Sequence, residues 1–380
     1  MLSTDQNLGP APAQPSTVLV VGGGICGSTT AATLAQAGWA VSLVQAKGVH
    51  EQHLAAALTP VISSDDNARS RLSRLGARLA DQYWRGLTAD IGLPCGALQL
   101  QRAPGAKRVQ DLQAQVQTFN QPDWARWVER EEASELAGID VPRGGVWFAG
   151  GWLIKTPALI DALQATPGVN CVNAHVARIE QIGGAWRAID ELGDVVAQAD
   201  VAVLANAFDA LALLKRSQRD DVLAACRRLP ALHRLAGEIT LLPANELGGG
   251  PKCIVGGDGY VLPAVAGWCV SGGTYVRDAQ AANCTELGRQ ANIERAGELV
   301  GLKLDLKAWP DLPGWAGWRA VLPGRLPAIG ELPHAQNLWV FTAGASRGLT
   351  WSVLGAKLIA DGLAGEPSDL DAEMMQAVAP

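Results

Sequence analysis

Short apolar runs, glycine turns and helical patterns alternate along this chain from residue 17 onward. Residues 17–21 form a β-branched, apolar run that leads into a glycine-rich turn. Residues 28–37 then have the composition of a helix that ends at Gly38, and a second apolar run covers residues 39–44. The order strand, turn, helix, strand predicts a β-α-β unit of the mononucleotide-binding type.

Similar patterns continue through the rest of the chain. Apolar residues at three- to four-residue spacing predict a helix over residues 66–90, with arginines on another face. Residues 309–330 are rich in Pro, Gly and Trp and are expected to form a loop. Further helices are predicted near residues 105–118, 132–136, 156–163, 285–301 and 351–363, and strands within 168–203, 235–278 and 338–342.

The glycine turn has the spacing Gly22-x-Gly24-x-x-Gly27 between a strand and a helix. Gly22 permits the tight turn, Gly24 lets the backbone approach a pyrophosphate, and Gly27 allows the helix to pack closely on the strand. The N-terminus of the helix faces the negative charge of the phosphates. Because the motif lies in the correct strand–helix–strand frame, it predicts a dinucleotide site that includes Gly22, Gly23, Gly24, Ile25 and Gly27.

Three further features favour FAD over NAD as the ligand. Gln45 stands at the end of the second strand, where an acidic residue usually holds the ribose hydroxyls. This change weakens a nicotinamide interpretation more than a flavin one, because FAD makes many other contacts. The strand-like run 200–207 and the glycine turn 344–348 complete the pattern, although each alone is also typical of an ordinary strand or helix start. The remaining predicted FAD contacts are Ala205, Gly344, Ser346, Arg347, Gly348 and Leu349.

Seven short segments in a fixed order add a family resemblance. They are residues 58–67 (LTPVISSDDN), 150–153 (GGWL), 236–239 (AGEI), 258–260 (DGY), 273–275 (GTY), 325–330 (RLPAIG) and 344–349 (GASRGL). Together with the glycine loop they resemble the D-amino-acid-oxidase-like FAD superfamily, which includes glycine oxidase and sarcosine oxidase. Within it, the chain is most similar to the FAD-dependent oxidoreductase domain of the bifunctional tRNA 5-methylaminomethyl-2-thiouridine biosynthesis family.

The resemblance implies a reaction on tRNA. In this family FAD oxidises the 5-carboxymethylaminomethyl group of the wobble uridine, and the expected products are 5-aminomethyluridine and glyoxylate. The family also carries a methyltransferase domain before this one, and this sequence has no room for it, so methylation is expected to be left to a separate methyltransferase or to be absent. Residues 51–55 and 322–324 depart from the family pattern.

A substrate that carries a glycine carboxylate needs an arginine partner. Arg319, Arg325 and Arg277 follow or lie within the family-like segments, and Arg319 is the first choice because it lies among apolar and Trp residues. Tyr260 is expected to orient the amine or the carboxylate, and Lys155 to lie near the flavin. The alternative at each position is a solvated surface cation or, for the tyrosine, a packing residue.

Basic residues on the helix predicted at 66–90 are candidates for tRNA binding. Contacts of Arg71, Arg74 and Arg78 with phosphates would make binding salt-dependent. A merely solvated basic face is an equal alternative. Other basic candidates are Arg69, Arg102, Lys107, Arg108, Arg227, Arg228 and Arg234, and Trp309, Trp315 and Trp318 either stack a base or pack a loop.

Composition sets the remaining limits. A length of 380 residues, with 48% apolar and 18% charged residues, indicates a globular protein with more than one core. The net charge of −6 argues against a surface that generally coats nucleic acid, but it permits a local basic patch. Seven scattered cysteines and five histidines show no ligand spacing, so neither a disulfide framework nor a metal site is expected. No targeting segment or membrane span is recognisable, which predicts a soluble cytoplasmic protein.

The patterns and the resemblance together predict an α/β fold, in which a Rossmann-like FAD-binding domain is interwoven with an α+β substrate domain built on an antiparallel sheet. Two other functions stay open: an oxidase or dehydrogenase of a small amine such as glycine, sarcosine or a D-amino acid, and a flavin-binding subunit without activity. The expected FAD-binding domain takes residues 17–90, 150–220 and 331–380, the substrate domain takes 91–149 and 221–330, and residues 1–16 form a flexible arm.

Overall fold

The computed structural model describes residues 16–46, 53–102, 106–304 and 311–380. Its strands are β1 (Thr17–Val21), β2 (Ala40–Gln45), β3 (Ala56–Leu58), β4 (Gly92–Leu93), β5 (Ala97–Leu100), β6 (Ala125–Val128), β7 (Gly145–Phe148), β8 (Trp152–Ile154), β9 (Val169–Asn173), β10 (Arg178–Ile182), β11 (Ala185–Ile189), β12 (Val195–Ala199), β13 (Val201–Leu204), β14 (His233–Pro243), β15 (Ile254–Gly257), β16 (Gly259–Val261), β17 (Trp268–Gly272), β18 (Gly314–Val321), β19 (Ala328–Glu331) and β20 (Leu338–Thr342). Its α-helices are α1 (Ile25–Gln36), α2 (Ala68–Arg85), α3 (Ala106–Thr118), α4 (Arg130–Ala137), α5 (Thr156–Gln164), α6 (Asp209–Arg216), α7 (Asp220–Ala225), α8 (Glu286–Leu299), α9 (Gly348–Ala364) and α10 (Ala372–Val378).

A six-stranded sheet in the order β19-β20-β13-β1-β2-β9 supports the glycine loop. All neighbours pair in parallel except β19, which runs antiparallel to β20. Strand β1 is apolar at successive positions because both of its faces are covered. Leu19 and Val21 pack into one core, whereas Val18 and Val20 pack into the other together with residues of α1 and α9. The sheet thus fixes the loop after β1 between two cores.

An eight-stranded sheet in the order β18-β14-β17-β16-β15-β5-β7-β6 forms the second large layer. Its pairs are antiparallel apart from β5 with β15. Helix α8 covers one face and shares a buried apolar cluster with β5, β15 and β17. A parallel nucleotide-binding sheet combined with an antiparallel second sheet confirms the predicted α/β fold class.

The prediction of a loop over residues 309–330 is wrong for most of its described part. Residues 314–321 form β18, which pairs with β14, and residues 328–331 form β19. The glycines here make room for large neighbours instead of breaking the strand. A Cβ on Gly237 would lie 1.5 Å from the Arg319 guanidinium, and one on Gly317 would lie 2.3 Å from the Trp315 ring.

Several sequence predictions lie outside the described residues. They concern the arm except its last residue, residues 51 and 52 of the departing segment, and Trp309. Among the helices that are described, none is long and apolar enough to cross a membrane. Within the same part of the chain, no group of three or more His, Cys, Asp or Glu side chains is arranged to hold a metal ion.

Candidate functional site

A cavity of about 1260 Å³ opens at the carboxyl ends of β1, β2 and β13 and reaches residues of the eight-stranded sheet. In open α/β sheets, ligands bind in the crevice outside the carboxyl ends of the strands. The volume exceeds the range of about 300–1,000 Å³ that is usual for a drug-sized ligand. A cofactor as large as FAD, with a substrate beside it, fits a space of this size.

The glycine loop forms one wall of the cavity. Gly22 has a φ of +111°, and a Cβ there would lie 2.6 Å from the Ala205 carbonyl oxygen. Gly24 is the N-cap of α1 and gives no side-chain hydrogen bond to the first helical turn, so the N–H groups of that turn are available to an anion. Gly27 does not line the cavity; its missing Cβ leaves room for the Gly22 carbonyl oxygen, which would lie 1.8 Å away.

Gln45 lies beside this loop and pairs with Gln164 of α5. Gln45 Nε2 donates to Gln164 Oε1 at 3.0 Å, and Gln164 Nε2 donates to Gln45 Oε1 at 2.9 Å. Gln164 also donates to the Gly23 carbonyl oxygen and to Ser28 Oγ, at 3.3 and 3.0 Å. An uncharged amide pair therefore lies where a carboxylate usually holds the ribose, and Gln164 is a site residue that sequence reasoning missed.

Asn206 is a residue of the cavity wall that shows whether a hydrogen-bonding ligand fits there. Its Oδ1 is buried at the cavity wall and has no hydrogen-bond partner in the described part of the chain. A buried acceptor without a donor costs about 1–3 kcal/mol, so a donor from a bound ligand would offset a real deficit. Together with the open N–H groups of α1, this acceptor fits a dinucleotide that offers both phosphates and hydroxyls.

The turn before α9 forms a second part of the cavity wall. All of its predicted contacts, Gly344, Ser346, Arg347, Gly348 and Leu349, line the cavity. No side chain caps the first turn of α9, which leaves further N–H groups open. Arg347 donates to the Thr59 carbonyl oxygen at 2.6 Å, and burial lowers its pKa to about 10. It remains a cation at neutral pH.

Arg319 and Tyr260 meet in the part of the cavity that the eight-stranded sheet forms. Arg319 Nη1 donates to the Thr274 carbonyl oxygen at 2.8 Å, and its guanidinium lies 4.6 Å from the centroid of the Tyr275 ring. No carboxylate within the described chain forms an ion pair with Arg319. Burial raises the pKa of Tyr260 to about 12, against the opposing effect of the Arg319 charge, so the phenol is neutral at physiological pH.

The other two predicted catalytic residues lie elsewhere. Arg277 is exposed and does not line the cavity. Lys155 also lies outside the lining, and its amine donates to Asp90 at 2.7 Å. Tyr275, in contrast, lines the cavity and was named only as part of a family-like segment. Its place at the cavity depends on the packing of strand β17, which ends three residues earlier, at Gly272.

Three arginines of α2 have partners within the protein. Arg71 donates to Asp371 at 2.9 Å and also to Glu373, which joins α2 to α10. Arg74 forms an ion pair with Asp66 at 2.5 Å. Arg78 donates to Gln121, and its guanidinium lies over the Trp124 ring. Carboxylates therefore offset the charges of Arg71 and Arg74, whereas the partners of Arg78 are uncharged.

The fold and the cavity define a dinucleotide-binding class of α/β protein, and comparison with known proteins identifies the family. A profile of the family described as DAO, FAD dependent oxidoreductase, matches residues 17–362. The chain belongs to this family. It is therefore an FAD-dependent oxidoreductase, as the sequence predicted.

Individual relatives narrow the comparison. The chain is similar to the tRNA 5-methylaminomethyl-2-thiouridine biosynthesis bifunctional protein of Cupriavidus metallidurans, with 35% identity over 95% of this chain; it spans 58% of that relative's length. Glycine oxidase from Geobacillus kaustophilus aligns with a TM-score of 0.71 at 19% identity, covering 96% of this chain and 98% of its own. Iminodiacetate oxidase from Chelativorans sp. BNC1 aligns with a TM-score of 0.73 at 19% identity, covering 96% of this chain and 98% of its own. The two structures establish the fold.

Proposed function

We propose that this protein uses FAD to oxidise the 5-carboxymethylaminomethyl group of the wobble uridine in tRNA, giving 5-aminomethyluridine and glyoxylate. The tRNA is suggested by the curated relative, which takes part in tRNA modification according to its name. The chemistry is suggested by the cavity. The observation that carries the proposal is the Arg319 guanidinium, which lies in the cavity wall with Tyr260 and has no carboxylate partner among the residues that the structure describes.

Arg319 is suited to hold the carboxylate of such a substrate. A guanidinium has five N–H donors in a planar fork, and Arg319 commits Nη1 to the Thr274 carbonyl oxygen. The remaining donors can bind a carboxylate through two parallel hydrogen bonds, which fix its orientation as well as its position. This orientation would place the carbon between carboxylate and amine for oxidation.

The other cavity residues then have defined tasks. Bound FAD would supply the two-electron acceptor for the C–N oxidation, and water would then hydrolyse the resulting imine to the primary amine and glyoxylate. The neutral phenol of Tyr260 donates a hydrogen bond to the carboxylate or accepts one from the amine. The positive charges of Arg319 and Arg347 lower the pKa of a nearby amine and so favour its neutral, oxidisable form. The free N–H groups at the start of α9, with Arg347, stabilise negative charge on a ligand beside them.

The product of this reaction suits a second partner besides tRNA. The primary amine that the reaction leaves on the uridine is the substrate that a methyltransferase would need to make the methylaminomethyl group. A separate methyltransferase that accepts this product is therefore the partner we propose in addition to tRNA.

Flavin bleaching under anaerobic conditions tests the function. The FAD-loaded protein is mixed with tRNA that carries the 5-carboxymethylaminomethyl group, and separately with glycine, sarcosine and D-alanine. Loss of the oxidised-flavin absorbance with tRNA and not with the free amines is the expected result. Bleaching by a free amine alone would identify a small-amine oxidase, and no bleaching by any compound would indicate a flavin-binding subunit without activity.

A further inference from the structure

The arginines of this protein have different kinds of partner. Several outside the cavity pair with carboxylates, as Arg71 does with Asp371 and Arg130 with Asp140, both at 2.9 Å. In the cavity wall, positive side chains outnumber negative ones. Seven arginines and three aspartates line it, although the whole chain has a net charge of −6. None of these seven forms an ion pair with a carboxylate of the described chain. They are Arg102, Arg216, Arg234, Arg295, Arg319, Arg325 and Arg347.

Tyr275 lies among these arginines and is open to solvent. Its side chain lines the cavity, yet the residue is 48% exposed. The guanidinium carbon of Arg319 lies 4.6 Å from the centroid of its ring and that of Arg325 lies 5.4 Å away. Arg325 itself is exposed, with no carboxylate partner among the described residues. The mouth of the cavity therefore presents an accessible aromatic ring beside a free cation.

The dimensions of the proposed substrate match this arrangement. Its carboxylate and its pyrimidine ring are separated by a glycine unit and one methylene, a reach of roughly 5 Å when extended. Tyr275 is in contact with the arginine that would hold the carboxylate. A base whose side chain reaches Arg319 consequently lies next to the Tyr275 ring.

Positive charge around Tyr275 extends beyond Arg325. The pKa of Arg347 is lowered mainly by burial, is raised by Tyr275, and is lowered further by the charges of Arg69, Arg102 and Arg325, so each of these three cations repels Arg347. Such repulsion is unfavourable in the free protein and is relieved when an anion binds between the groups. Arg102 is exposed and holds its position through a hydrogen bond from Nε to the Gly257 carbonyl oxygen at 2.9 Å.

We propose that Tyr275 stacks the target base at the mouth of the cavity and that Arg325 and Arg102 contact phosphates of the RNA strand that carries this base. This subsite rests on the proposed function and moves the RNA from the face of α2 to the cavity mouth. Aromatic side chains stack on bases of single-stranded nucleic acids, and arginines supply the phosphate contacts. Anticodon loops are single-stranded, so they offer unpaired bases together with accessible phosphates.

Rates of flavin reduction test the stacking role. With FAD-loaded protein and a modified anticodon stem-loop RNA, Tyr275→Leu raises the half-saturating RNA concentration about tenfold, as expected for one lost base–aromatic stack. The limiting rate stays within a factor of two, because the reacting carbon does not touch Tyr275. Tyr275→Trp restores the wild-type concentration. An unchanged half-saturating concentration in Tyr275→Leu overturns the stacking role.

Salt dependence of RNA binding tests the phosphate contacts. Arg325→Ala and Arg102→Ala each lower the slope of log affinity against log salt by about 0.7, the value for one phosphate contact on a single strand. Arg130→Ala is the matched control, because Arg130 is exposed, paired with Asp140 and not part of the cavity lining, and its slope stays that of wild type. A slope that falls in Arg71→Ala but not in Arg325→Ala would place the RNA on α2 and overturn the proposal.

Binding measured by fluorescence anisotropy separates this subsite from the proposed function. If the RNA binds with an affinity that depends on Tyr275 and Arg325 but does not bleach the flavin, the subsite stands and the proposed reaction fails. If the RNA bleaches the flavin and binds all variants equally, the reaction stands and the subsite fails. If the wild-type protein does not bind the RNA and its flavin is not bleached by it, both the subsite and the proposed reaction are overturned.

Discussion

Gln45 and Gln164 hold each other's side-chain amides through two reciprocal hydrogen bonds of 3.0 and 2.9 Å beside the FAD loop. The residues are 119 positions apart, one at the end of β2 and one at the end of α5. Because Gln164 also donates to the Gly23 carbonyl oxygen, the pair is fixed to the loop itself. The usual acidic ribose ligand is thereby replaced by a neutral group whose position depends on a second side chain.

Gln164→Leu should weaken FAD binding about tenfold without unfolding the protein. The variant leaves the Gln45 amide without its partner, and a lost pair of hydrogen bonds of this kind corresponds to about 1–2 kcal/mol. Titration of the apoprotein with FAD, followed by flavin fluorescence, gives the dissociation constant. Gln290→Leu, on the exposed face of α8, is the control and should bind as wild type does. Equal affinities for all three proteins would show that the amide pair does not position the cofactor.

Gly22→Ala should abolish stable FAD binding, whereas Gly38→Ala should preserve it. Both glycines have positive φ angles, +111° and +91°, so an alanine is strained at either position. Only Gly22 is also crowded, since its Cβ would lie 2.6 Å from the Ala205 carbonyl oxygen, while a Cβ on Gly38 meets no atom within 4 Å. Thermal unfolding of the purified proteins reports the backbone strain that both variants share. Their flavin content reports the crowding, which only Gly22→Ala introduces. Similar loss of flavin in both variants would contradict this account.

Arg319→Ala should lower kcat/KM for the carboxylate substrate by two to three orders of magnitude. Removing one partner of a buried, hydrogen-bonded charge pair costs about 2–5 kcal/mol. Arg319→Lys keeps the charge but loses the fork, so it should recover only part of the loss. Steady-state kinetics and the absorbance spectrum of bound FAD are measured together. A loss of activity that is accompanied by a loss of flavin would mean that Arg319 acts on the fold rather than on the substrate.

Tyr260 should be the tyrosine that titrates near pH 12. Burial raises its pKa from 10.0 to about 12, so the folded protein retains this proton between pH 10 and 12 while the unfolded chain loses it. The associated stability, about 3 kcal/mol, is fully present below pH 10 and is lost as the pH rises through 12. Absorbance at the phenolate band follows the loss of the proton between pH 10 and 12. Urea unfolding over the same pH range follows the loss of stability. In Tyr260→Phe the late phenolate transition should be absent and the decline in stability smaller.

Local features of the fold could be predicted from sequence because their causes lie within a few residues. The glycine loop is an example, since the glycine spacing, the preceding apolar run and the following helix are contiguous. Strand β18 was missed because its composition is that of a loop. Its strand conformation depends on β14, whose Gly237 leaves space for Arg319, and this pairing spans some eighty residues.

The site shows the same division between local and distant causes. Residues of the two turns could be assigned to the cavity wall from their motifs. Arg319 was selected from its apolar surroundings and does line the cavity, whereas Lys155 was selected from its neighbours in sequence and instead pairs with Asp90. Gln164 and the exposed position of Tyr275 follow only from the tertiary packing of distant segments. No periodic pattern in either segment indicates them.

Product analysis after a single turnover tests the central claim most directly. FAD-loaded protein in excess is mixed with tRNA that carries the 5-carboxymethylaminomethyl group, and nucleosides and small acids are quantified by mass spectrometry. We predict one 5-aminomethyluridine and one glyoxylate for each flavin reduced, and formation of both products about two to three orders of magnitude more slowly when Arg319 is replaced by Ala in protein that retains its FAD. Unchanged nucleoside alongside a wild-type flavin that is readily reduced by glycine or sarcosine would contradict the account.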